Sequence, residues 1–402
     1  MTALGRGMAV GIPVDSPPST TRTEGTRPVA MAKTFGRAVL VALPAWAVAR
    51  VLVGLSLVLA HLLVGRVRPG NVTARLRVHQ GLLAWDGSWY QSIAGHGYAA
   101  SGVQSVRFFP AFPMAARAIG WVTGLGAGVA LVIIANLCAL AAMGALVILV
   151  RNDLGDGALA RRSVWLLAVA PAAYSLVLGY ADATLLLCSV VTVLAARTER
   201  WWVAAVAGLV AGLVRPLGIL LVVPVLIEVI RRRHDGAGSG RWAARLAAAG
   251  APAVGTAAYL GWVRWQFGDA WLPFRVQQQN GHRGVVTLPL AAMVHNLESV
   301  VHGHHLGSAL HIPWAVLCVV LAVVAFRRLP LSYAGFAAAV LVLSLASSNL
   351  DSFERYALGA FPLVIAASTL TSRRRTQVVV LVVAGLGMVG YATLAFMGVV
   401  VP

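Results

Sequence analysis

Long apolar runs alternate with short clusters of arginine along almost the whole chain. An apolar run of about 20 residues forms a helix long enough to cross about 30 Å of hydrocarbon. The pattern therefore predicts an all-α, polytopic integral membrane protein with about 11 transmembrane helices. Several runs are shorter than a simple span, so we expect these helices to be tilted, broken or sheltered by neighbours. The predicted segments are 38–64, 127–150, 163–179, 182–197, 201–214, 217–230, 246–266, 312–326, 331–347, 356–370 and 378–400.

The arginine clusters predict the orientation of these segments. If the N-terminus is cytoplasmic, the arginine-bearing loops fall on the cytoplasmic side, as the positive-inside rule requires for a protein of the inner or plasma membrane. Two long external loops then cover residues 65–126 and 267–311. The cytoplasmic loops hold Arg151, Arg161 and Arg162; Arg197 and Arg200; Arg231–Arg233 with Arg241 and Arg245; Arg327 and Arg328; and Arg373–Arg375.

The segment Phe108–Val122 decides the topology, because a span here would turn every later arginine cluster outward. We therefore predict that it is an interfacial or re-entrant juxtamembrane helix within the first external loop. Basic residues of the same loop are expected to contact anionic lipid headgroups. They are Arg66, Arg68, Arg75, Arg77 and Arg107.

Composition excludes two classes of protein. Charged residues make up 11% of the chain and hydrophobic residues 59%, whereas a soluble domain carries about 25% charged residues. A net charge of +19 would ordinarily favour nucleic-acid binding. Here the arginines lie between apolar runs, where they act as topology signals and as contacts to lipid phosphates. We therefore predict membrane lipid, and no nucleic acid, as a partner.

The sequence predicts an N-terminal tail followed by one domain. Residues 1–33 are rich in Thr, Pro, Gly and Arg and contain no long apolar run, which predicts a disordered basic cytoplasmic tail rather than a cleaved signal. Residues 34–402 are predicted to form a single transmembrane domain. Cys138, Cys188 and Cys318 lie inside apolar segments without metal-ligand spacing, so we interpret them as packing residues.

Carboxylates are rare, at thirteen acidic residues in 402, and Asp86 stands between tryptophans at a predicted membrane boundary. An ionisable residue in that setting is a candidate for function. Other polar groups that do not serve as topology signals fall on the same predicted external side. They are Tyr180-Ala181-Asp182, Arg215-Pro216-Leu217-Gly218, and Asp351 with Glu354-Arg355-Tyr356. The pattern predicts one shared external site.

The chemistry of this site follows from what the chain lacks. No glycine-rich strand-turn-helix segment is present to bind a nucleotide. An external transferase without a nucleotide must take its activated donor from the membrane, and a polyprenyl-phosphate sugar meets that need. Asp86 suits the general base that activates an acceptor hydroxyl. Arg215 and Arg355 suit a phosphate clamp, since guanidinium binds phosphate oxygens bidentately.

Short motifs follow one another in order along nearly the whole chain after the tail. They are Trp85-Asp86-x-x-Trp89-Tyr90-x-x-Ile93-Ala94-x-x-Gly97-Tyr98, Phe108-Phe109-Pro110 with Phe112-Pro113, Arg50, Pro171, Tyr180-Ala181-Asp182, Arg215-Pro216-x-Gly218, Gly268-Asp269 leading to Phe274 and Gln277, and Arg355-Tyr356 with Phe361-Pro362. This ordered set resembles the PIG-V-type mannosyltransferase family. That family is related to GPI mannosyltransferase II and belongs to the GT-C superfamily of multi-spanning, polyprenyl-phosphate-sugar-dependent glycosyltransferases.

The resemblance implies a dolichol- or polyprenyl-phosphate-mannose donor, inverting transfer and a catalytic Asp86. Asp182 would position the acceptor or assist the base. The preference for Arg over Lys, with abundant Ala, Gly and Val, suggests a bacterial member, so the acceptor would be an envelope lipid, glycan or protein. The residues that we assign to substrate binding are Trp85, Trp89, Tyr90, Arg50, Arg215, Gln277, Arg355 and Tyr356.

One residue and one loop depart from the family pattern. The family more often has Glu where this chain has Asp182, which shortens the reach of that carboxylate. The loop residues 278–283 align poorly with the family's aromatic and basic residues, and this loop is expected to face the acceptor. His302, His304 and His305, with His295 and His311 nearby, match no metal-ligand frame, so we interpret them as part of a solvated loop and assign no metal ligands, with a divalent metal kept as the alternative cofactor.

Plainer interpretations stay open at this stage. Trp85, Trp89 and Tyr90 suit an interfacial aromatic belt, and Asp182 suits a helix cap. Arg215-Pro216 also suits a break between two short helices. Arg50 lies in mid-segment, where pairing inside the bundle is favoured over snorkelling. Two other functions remain as alternatives: a polyprenyl-linked lipid transporter or flippase, and a non-catalytic subunit of a glycosyltransferase complex.

Overall fold

A computed structural model describes residues 26–235, 238–279, 283–291, 293, 294, 298 and 311–401, with side chains from residue 33 onward. The described part of the chain is helical and contains no β-strand. Its first half holds α1 Thr26–Val67, α2 Val72–Gln80, α3 Asp86–His96, α4 Tyr98–Ser101, α5 Ala111–Thr123, α6 Ala127–Leu154, α7 Gly157–Val169 and α8 Asp182–Arg197. Its second half holds α9 Trp201–Val214, α10 Val222–Arg231, α11 Ser239–Phe267, α12 Leu272–Gln277, α13 His311–Arg328, α14 Leu331–Leu345, α15 Phe353–Gly359, α16 Phe361–Leu370 and α17 Arg374–Phe396.

Five of these helices are long and apolar enough to cross a membrane. They are α1 from Lys33 onward, α6, α11, α13 and α17, with 35, 28, 29, 18 and 23 residues. This confirms the prediction of an α-helical membrane protein. Three shorter apolar helices, α9, α14 and α16, coincide with further predicted segments. The total of 11 spans remains a prediction.

Three of the predicted short segments are broken helices. The segment 163–179 is α7 followed by a 3₁₀ turn at Pro171–Leu176, and 217–230 is a 3₁₀ turn at Pro216–Leu221 followed by α10. The segment 356–370 is divided at Ala360 between α15 and α16. Proline lacks the amide hydrogen that a continuous helix needs, so each of the two 3₁₀ turns begins at the proline.

Small residues let the helices approach closely. At Gly212 of α9 an added Cβ would lie 2.2 Å from the Pro252 carbonyl oxygen of α11, and at Gly255 of α11 it would lie 2.2 Å from the Leu209 carbonyl oxygen. Helix association in lipid depends on this kind of contact, because apolar side chains gain little by leaving lipid for another helix. The α9–α11 contact sets the position of Arg215, which directly follows α9.

The segment Phe108–Val122 contains α5, a helix of 13 residues. At 1.5 Å per residue it is about 20 Å long, shorter than the hydrocarbon core. Phe112 and Ala116 are buried while Trp121 and Val122 are exposed. The Arg117 guanidinium donates to the Ala94 carbonyl at 2.8 Å, which ties α5 to α3. These features suit the predicted interfacial helix.

The termini and the second loop lie partly outside the described residues. The predicted tail is undescribed through residue 25, and α1 begins at Thr26, inside the segment that we assigned to the tail. In the loop 267–311, residues 280–282, 292, 295–297 and 299–310 are outside the described part. The histidines at 295, 302, 304 and 305 belong to these residues.

Candidate active site

Asp86 is the first residue of α3 and follows a strained turn. Trp85 has φ 58° and ψ −119°, a conformation that costs an L-residue on the order of 1–3 kcal/mol. Two contacts hold Trp85 there: its indole nitrogen donates to the Ala395 carbonyl at 2.9 Å, and the Arg77 guanidinium lies 3.6 Å above its ring. The turn therefore orients Asp86 through a residue that is anchored on both sides.

Two aspartates and two arginines form a connected ionic cluster. Arg355 Nη1 donates to Asp86 Oδ2 at 2.8 Å, and Arg215 Nη1 donates to Asp182 Oδ1 at 2.5 Å. Arg355 Nε lies 3.7 Å from Asp182 Oδ1 and joins the two pairs. Asp182 is the first residue of α8, so both carboxylates lie at helix N-termini, where negative charge is favoured.

The Tyr356 ring lies among three guanidinium groups. The central carbon of Arg283 lies 4.6 Å from the ring centroid, that of Arg215 5.1 Å and that of Arg355 5.3 Å. Arg355 also lies 5.2 Å from the centroid of Tyr180, whose hydroxyl donates to the Ala84 carbonyl at 3.1 Å. The aromatic rings thus help to hold several cations close together.

A cavity of about 270 Å³ opens beside this cluster. Most residues that the sequence analysis assigned to the site line it: Trp85, Asp86, Tyr90, Arg215, Gln277, Arg355 and Tyr356. Asp182 lies behind the cavity, next to a small void that Arg215 and Arg355 also line. Residues remote in sequence, from the first loop to α15, therefore meet at one end of the bundle.

Besides Asp182, two further assigned residues, Trp89 and Arg50, do not line the cavity. Trp89 stacks on Phe108, with ring centroids 5.9 Å apart. Arg50 Nε donates to Asn136 Oδ1 at 2.8 Å, and Nη1 donates to the Trp46 carbonyl at 3.1 Å. Arg50 is thus paired inside the bundle, as its mid-segment position favoured, and the structure does not bring it into the site.

Charge at the cavity is dominated by the arginines. Burial alone would raise the pKa of Asp86, but the positive charges of Arg355, Arg215 and Arg107 outweigh it and hold that pKa below its ordinary value of 3.8. Burial also raises the pKa of the Tyr90 phenol well above its usual range, so the hydroxyl stays neutral. At neutral pH the cavity therefore offers an ionised carboxylate among cations.

Sequence reasoning did not assign Arg107 and Arg283 to the site, yet both line the cavity. We expected Arg107 to contact lipid headgroups, but its guanidinium lies 4.9 Å from the Phe108 ring centroid and 5.6 Å from that of Trp89. Its position directly before the Phe108-Phe109 motif was the available signal. Arg283 lies in a loop whose pattern matched poorly, so no signal pointed to it.

The described residues contain no group of three or more His, Cys, Asp or Glu side chains arranged to hold a metal ion. His311 instead forms ion pairs, with Nδ1 2.6 Å from Glu354 Oε1 and Nε2 3.5 Å from Asp351 Oδ1. The Tyr391 hydroxyl also donates to Glu354 Oε1, at 3.1 Å. These contacts join α13, α15 and α17 next to Arg355.

No protein-family model matches the chain, and no curated protein matches its sequence. What the site can do therefore follows from its own geometry: an ionised carboxylate, several guanidinium groups and aromatic rings around a cavity at one end of an apolar helix bundle. Such a set can accept a proton, neutralise an anionic group and pack against the faces of a ring.

Proposed function

We propose that this chain is an inverting membrane glycosyltransferase that transfers mannose from a polyprenyl-phosphate-mannose donor to an acceptor hydroxyl. The observation that carries the proposal is the cavity in which Asp86 lies among Arg107, Arg215, Arg283 and Arg355. A base for the acceptor and cations for a departing phosphate are the two requirements of this reaction. The choice of mannose comes from the resemblance to the PIG-V-type family.

In the reaction, the acceptor hydroxyl gives its proton to Asp86, and its oxygen attacks the anomeric carbon from the face opposite the phosphate. The bond from the anomeric carbon to the phosphate oxygen breaks, and its electron pair leaves with polyprenyl phosphate. Arg355 binds Asp86 Oδ2, so the Oδ1 atom, which has no partner among the described residues, is the proton acceptor. Inversion follows from the attack on the opposite face.

The other residues around the cavity bind the phosphate and the sugar. Arg215 and Arg355 hold the leaving phosphate, and Asp182 keeps both guanidinium groups in place. The Gln277 amide and the Tyr90 hydroxyl bind sugar hydroxyls, and the rings of Trp85 and Tyr356 pack against the sugar. Preorganised charges of this kind act without rearrangement during the reaction, which makes them effective in catalysis.

The site faces the outside of the cell in this proposal, and the N-terminus faces the cytoplasm. The arginine distribution supports this orientation, because Arg197 ends α8, the helix that begins at Asp182. Hydrogen bonds connect Arg231, Arg232 and Arg245 to Arg197 directly, through Glu228 or through Arg232, so they lie at that same end, remote from the cavity. An excess of arginine marks the cytoplasmic side of a membrane protein. A polyprenyl-phosphate sugar presented on the outer leaflet would then reach Asp86 directly.

The test is transfer by purified protein in proteoliposomes, with radiolabelled polyprenyl-phosphate mannose as donor and a membrane extract as acceptor. We expect Asp86→Asn to lower the rate by about 10²–10⁴-fold, the usual contribution of a general base. Asp269→Asn is the matched control, because Asp269 pairs with Arg275 in the second loop and does not line the cavity.

A folded Asp86→Asn protein with the wild-type rate would contradict the assignment of Asp86. Movement of intact polyprenyl-phosphate mannose across the vesicle without sugar transfer would favour the flippase. Transfer that appears only when a second protein is added, and that is indifferent to Asp86→Asn, would favour the non-catalytic subunit.

A further inference from the structure

The arginines around the cavity differ in how their charge is balanced. Asp182 neutralises Arg215 at 2.5 Å, and Asp86 neutralises Arg355 at 2.8 Å. Arg283 lines the same cavity but forms no ion pair with a carboxylate in the described part of the chain. Its Nη2 donates to the Ser344 carbonyl at 2.7 Å, and its Nε is buried with no hydrogen-bond acceptor among the residues that the structure describes.

A partly buried guanidinium without a counter-ion is costly to maintain, because a buried charge must be paired or solvated. Burial lowers the pKa of Arg283; the neighbouring Tyr356 opposes this, and the charges of Arg215 and Arg355 lower the pKa further. An anion that entered the cavity would relieve this repulsion and supply the missing acceptor. Asp351 lines the same cavity but lies 3.5 Å from His311, so Arg283 is left without a carboxylate partner among the described residues.

The backbone holds Arg283 at this position. Its carbonyl accepts hydrogen bonds from the Ser347 hydroxyl and, at 3.1 Å, from the Asn349 amide, which fastens the loop to the segment that leads into α15. The next residue, Gly284, has φ 70°, a conformation suited to glycine, and a Cβ there would lie 2.2 Å from the Ser348 hydroxyl oxygen. The backbone contacts therefore fix the position of Arg283 at the cavity.

The surroundings of Arg283 distinguish between sources of the anion. Apolar side chains line the cavity beside it, and several are exposed: Val286, Leu343 and Val401. Val285, Leu288 and Leu290 continue this exposed apolar surface along the same loop. An apolar approach that ends at a cation suits a phosphate carried on a hydrocarbon chain better than a free phosphate ion.

We propose that Arg283 is the principal receptor for the phosphate of a polyprenyl-phosphate ligand, and that Arg215 and Arg355, whose charges are partly balanced by Asp182 and Asp86, assist it. The inference rests on the proposed function for the phosphate and the lipid, but the evidence for an anion at Arg283 comes from the cavity alone. Arg283 donates to the phosphate oxygens, and the apolar residues next to it receive the first isoprene units.

The experiment measures equilibrium binding of long-chain polyprenyl phosphate to the full-length protein in nanodiscs. We expect Arg283→Gln to weaken binding by about tenfold or more, as loss of a charge-assisted hydrogen bond does. Arg275→Gln is the control, because Arg275 is 65% exposed, pairs with Asp269 and does not line the cavity. Its affinity should stay within about twofold of wild type. Polyprenol without phosphate should bind both variants and wild type equally.

Thermal unfolding with and without ligand provides a second readout that does not depend on one variant. Polyprenyl phosphate should raise the Tm of wild type, and it should raise the Tm of Arg283→Lys less, since lysine keeps the charge without the bidentate geometry. Undiminished binding and an undiminished Tm shift in folded Arg283→Gln or Arg283→Lys would overturn the inference.

Binding of inorganic phosphate to the wild-type protein, measured beside binding of polyprenyl phosphate, tests this inference apart from the proposed function. If wild type binds inorganic phosphate through Arg283 but ignores polyprenyl phosphate, the anion site stands and the lipid donor fails. If it binds neither, the anion site is overturned as well. If it binds the lipid through Arg283 yet transfers no sugar, the inference stands and the transferase proposal fails.

Discussion

Buried ionic clusters at the two ends of the helix bundle use the same residue types, but only the cluster around Asp86 lines the cavity of about 270 Å³. The end with this cavity is called the open end here, and the end with Glu228 the closed end. At the closed end, Glu228 is 1% exposed and accepts hydrogen bonds from Arg197 at 2.9 Å and from the Ser332 hydroxyl at 2.7 Å. Arg197 also donates to Asp153 at 2.8 Å. At the open end, Asp86 and Asp182 meet Arg215 and Arg355, and Arg283 lies beside them without a carboxylate partner in the described chain.

The difference shows what separates a structural cluster from a candidate site. At the closed end, protein side chains satisfy both oxygens of Glu228, since Arg231 donates to the second one. At the open end, Arg283 has no carboxylate partner among the described residues. A non-glycine residue with positive φ occurs at each end, Trp85 at the open end and Glu199 at the closed end, so backbone strain does not separate the two. An uncompensated buried charge costs stability, so the unpaired cation beside the cavity is what marks the open end as a candidate ligand site.

The largest expected effect is at the closed end. Removal of one partner from a buried ionic cluster costs about 3–5 kcal/mol, because the remaining charges stay buried, so Glu228→Ala should lower the free energy of unfolding by that amount. Glu199→Ala is the control, because Glu199 pairs with Arg232 while 42% exposed and should cost at most about 1 kcal/mol. Denaturant unfolding in detergent measures both.

The comparison between the ends predicts that transfer per folded Glu228→Ala molecule equals that of wild type. A variant that keeps its stability but loses activity would show that the closed cluster takes part in function. Equal destabilisation by Glu228→Ala and Glu199→Ala would show that burial does not distinguish the two pairs.

A smaller effect is expected where helix packing places Arg215. Gly212→Ala would push its new methyl group against the Pro252 carbonyl oxygen of α11, and overpacking of this kind costs about 1–3 kcal/mol. Because Arg215 follows α9 directly, the same change should also weaken the Arg215–Asp182 pair and reduce transfer. Thermal unfolding and transfer rate are the measurements.

Gly250→Ala on α11 is the matched control for this change, because a Cβ there has no atom within 4 Å. It should be neutral or slightly stabilising, as alanine is the better helix former. Similar losses from both substitutions would mean that the α9–α11 contact has no special role in placing Arg215.

The smallest effect concerns pH at the open end. A general base works when deprotonated, and the pKa of Asp86 is held below 3.8 by Arg355, Arg215 and Arg107 against the opposing effect of burial. Transfer should therefore be insensitive to Asp86 ionisation from about pH 5 to 8 and should fall only below about pH 4. The carboxylate's contribution to stability has the same sign: it is present above the unfolded pKa and lost as pH falls through the folded pKa.

The pH profile of kcat/KM for sugar transfer in proteoliposomes measures the ionisation of Asp86. An acid limb centred near pH 6 that disappears in Asp86→Asn would show that Asp86 titrates far higher than its arginine neighbours allow. The dominance of the cations at the open end would then be wrong.

Much of the fold follows from the sequence, because the length of an apolar run and the position of a proline determine where a helix begins and ends without help from distant residues. The segments predicted at 182–197 and 201–214 coincide with α8 and α9, and the site residues Asp86, Asp182, Arg215 and Arg355 gather at one end, as counting of arginine-bearing loops implied. The half-buried helix α5 also suits its predicted interfacial place.

The sequence by itself therefore determined a helical membrane protein, the approximate limits of its helices and the end at which its unusual polar residues collect. Only the tertiary structure decided which charges meet: Asp86 and Arg355 are 269 positions apart and pair through the packing of several helices. It also placed Arg107 and Arg283 at the cavity and Arg50 outside it. Helix formation depends on neighbouring residues, whereas the pairing of charges depends on which helix faces are buried together, and that is settled only when the whole bundle packs.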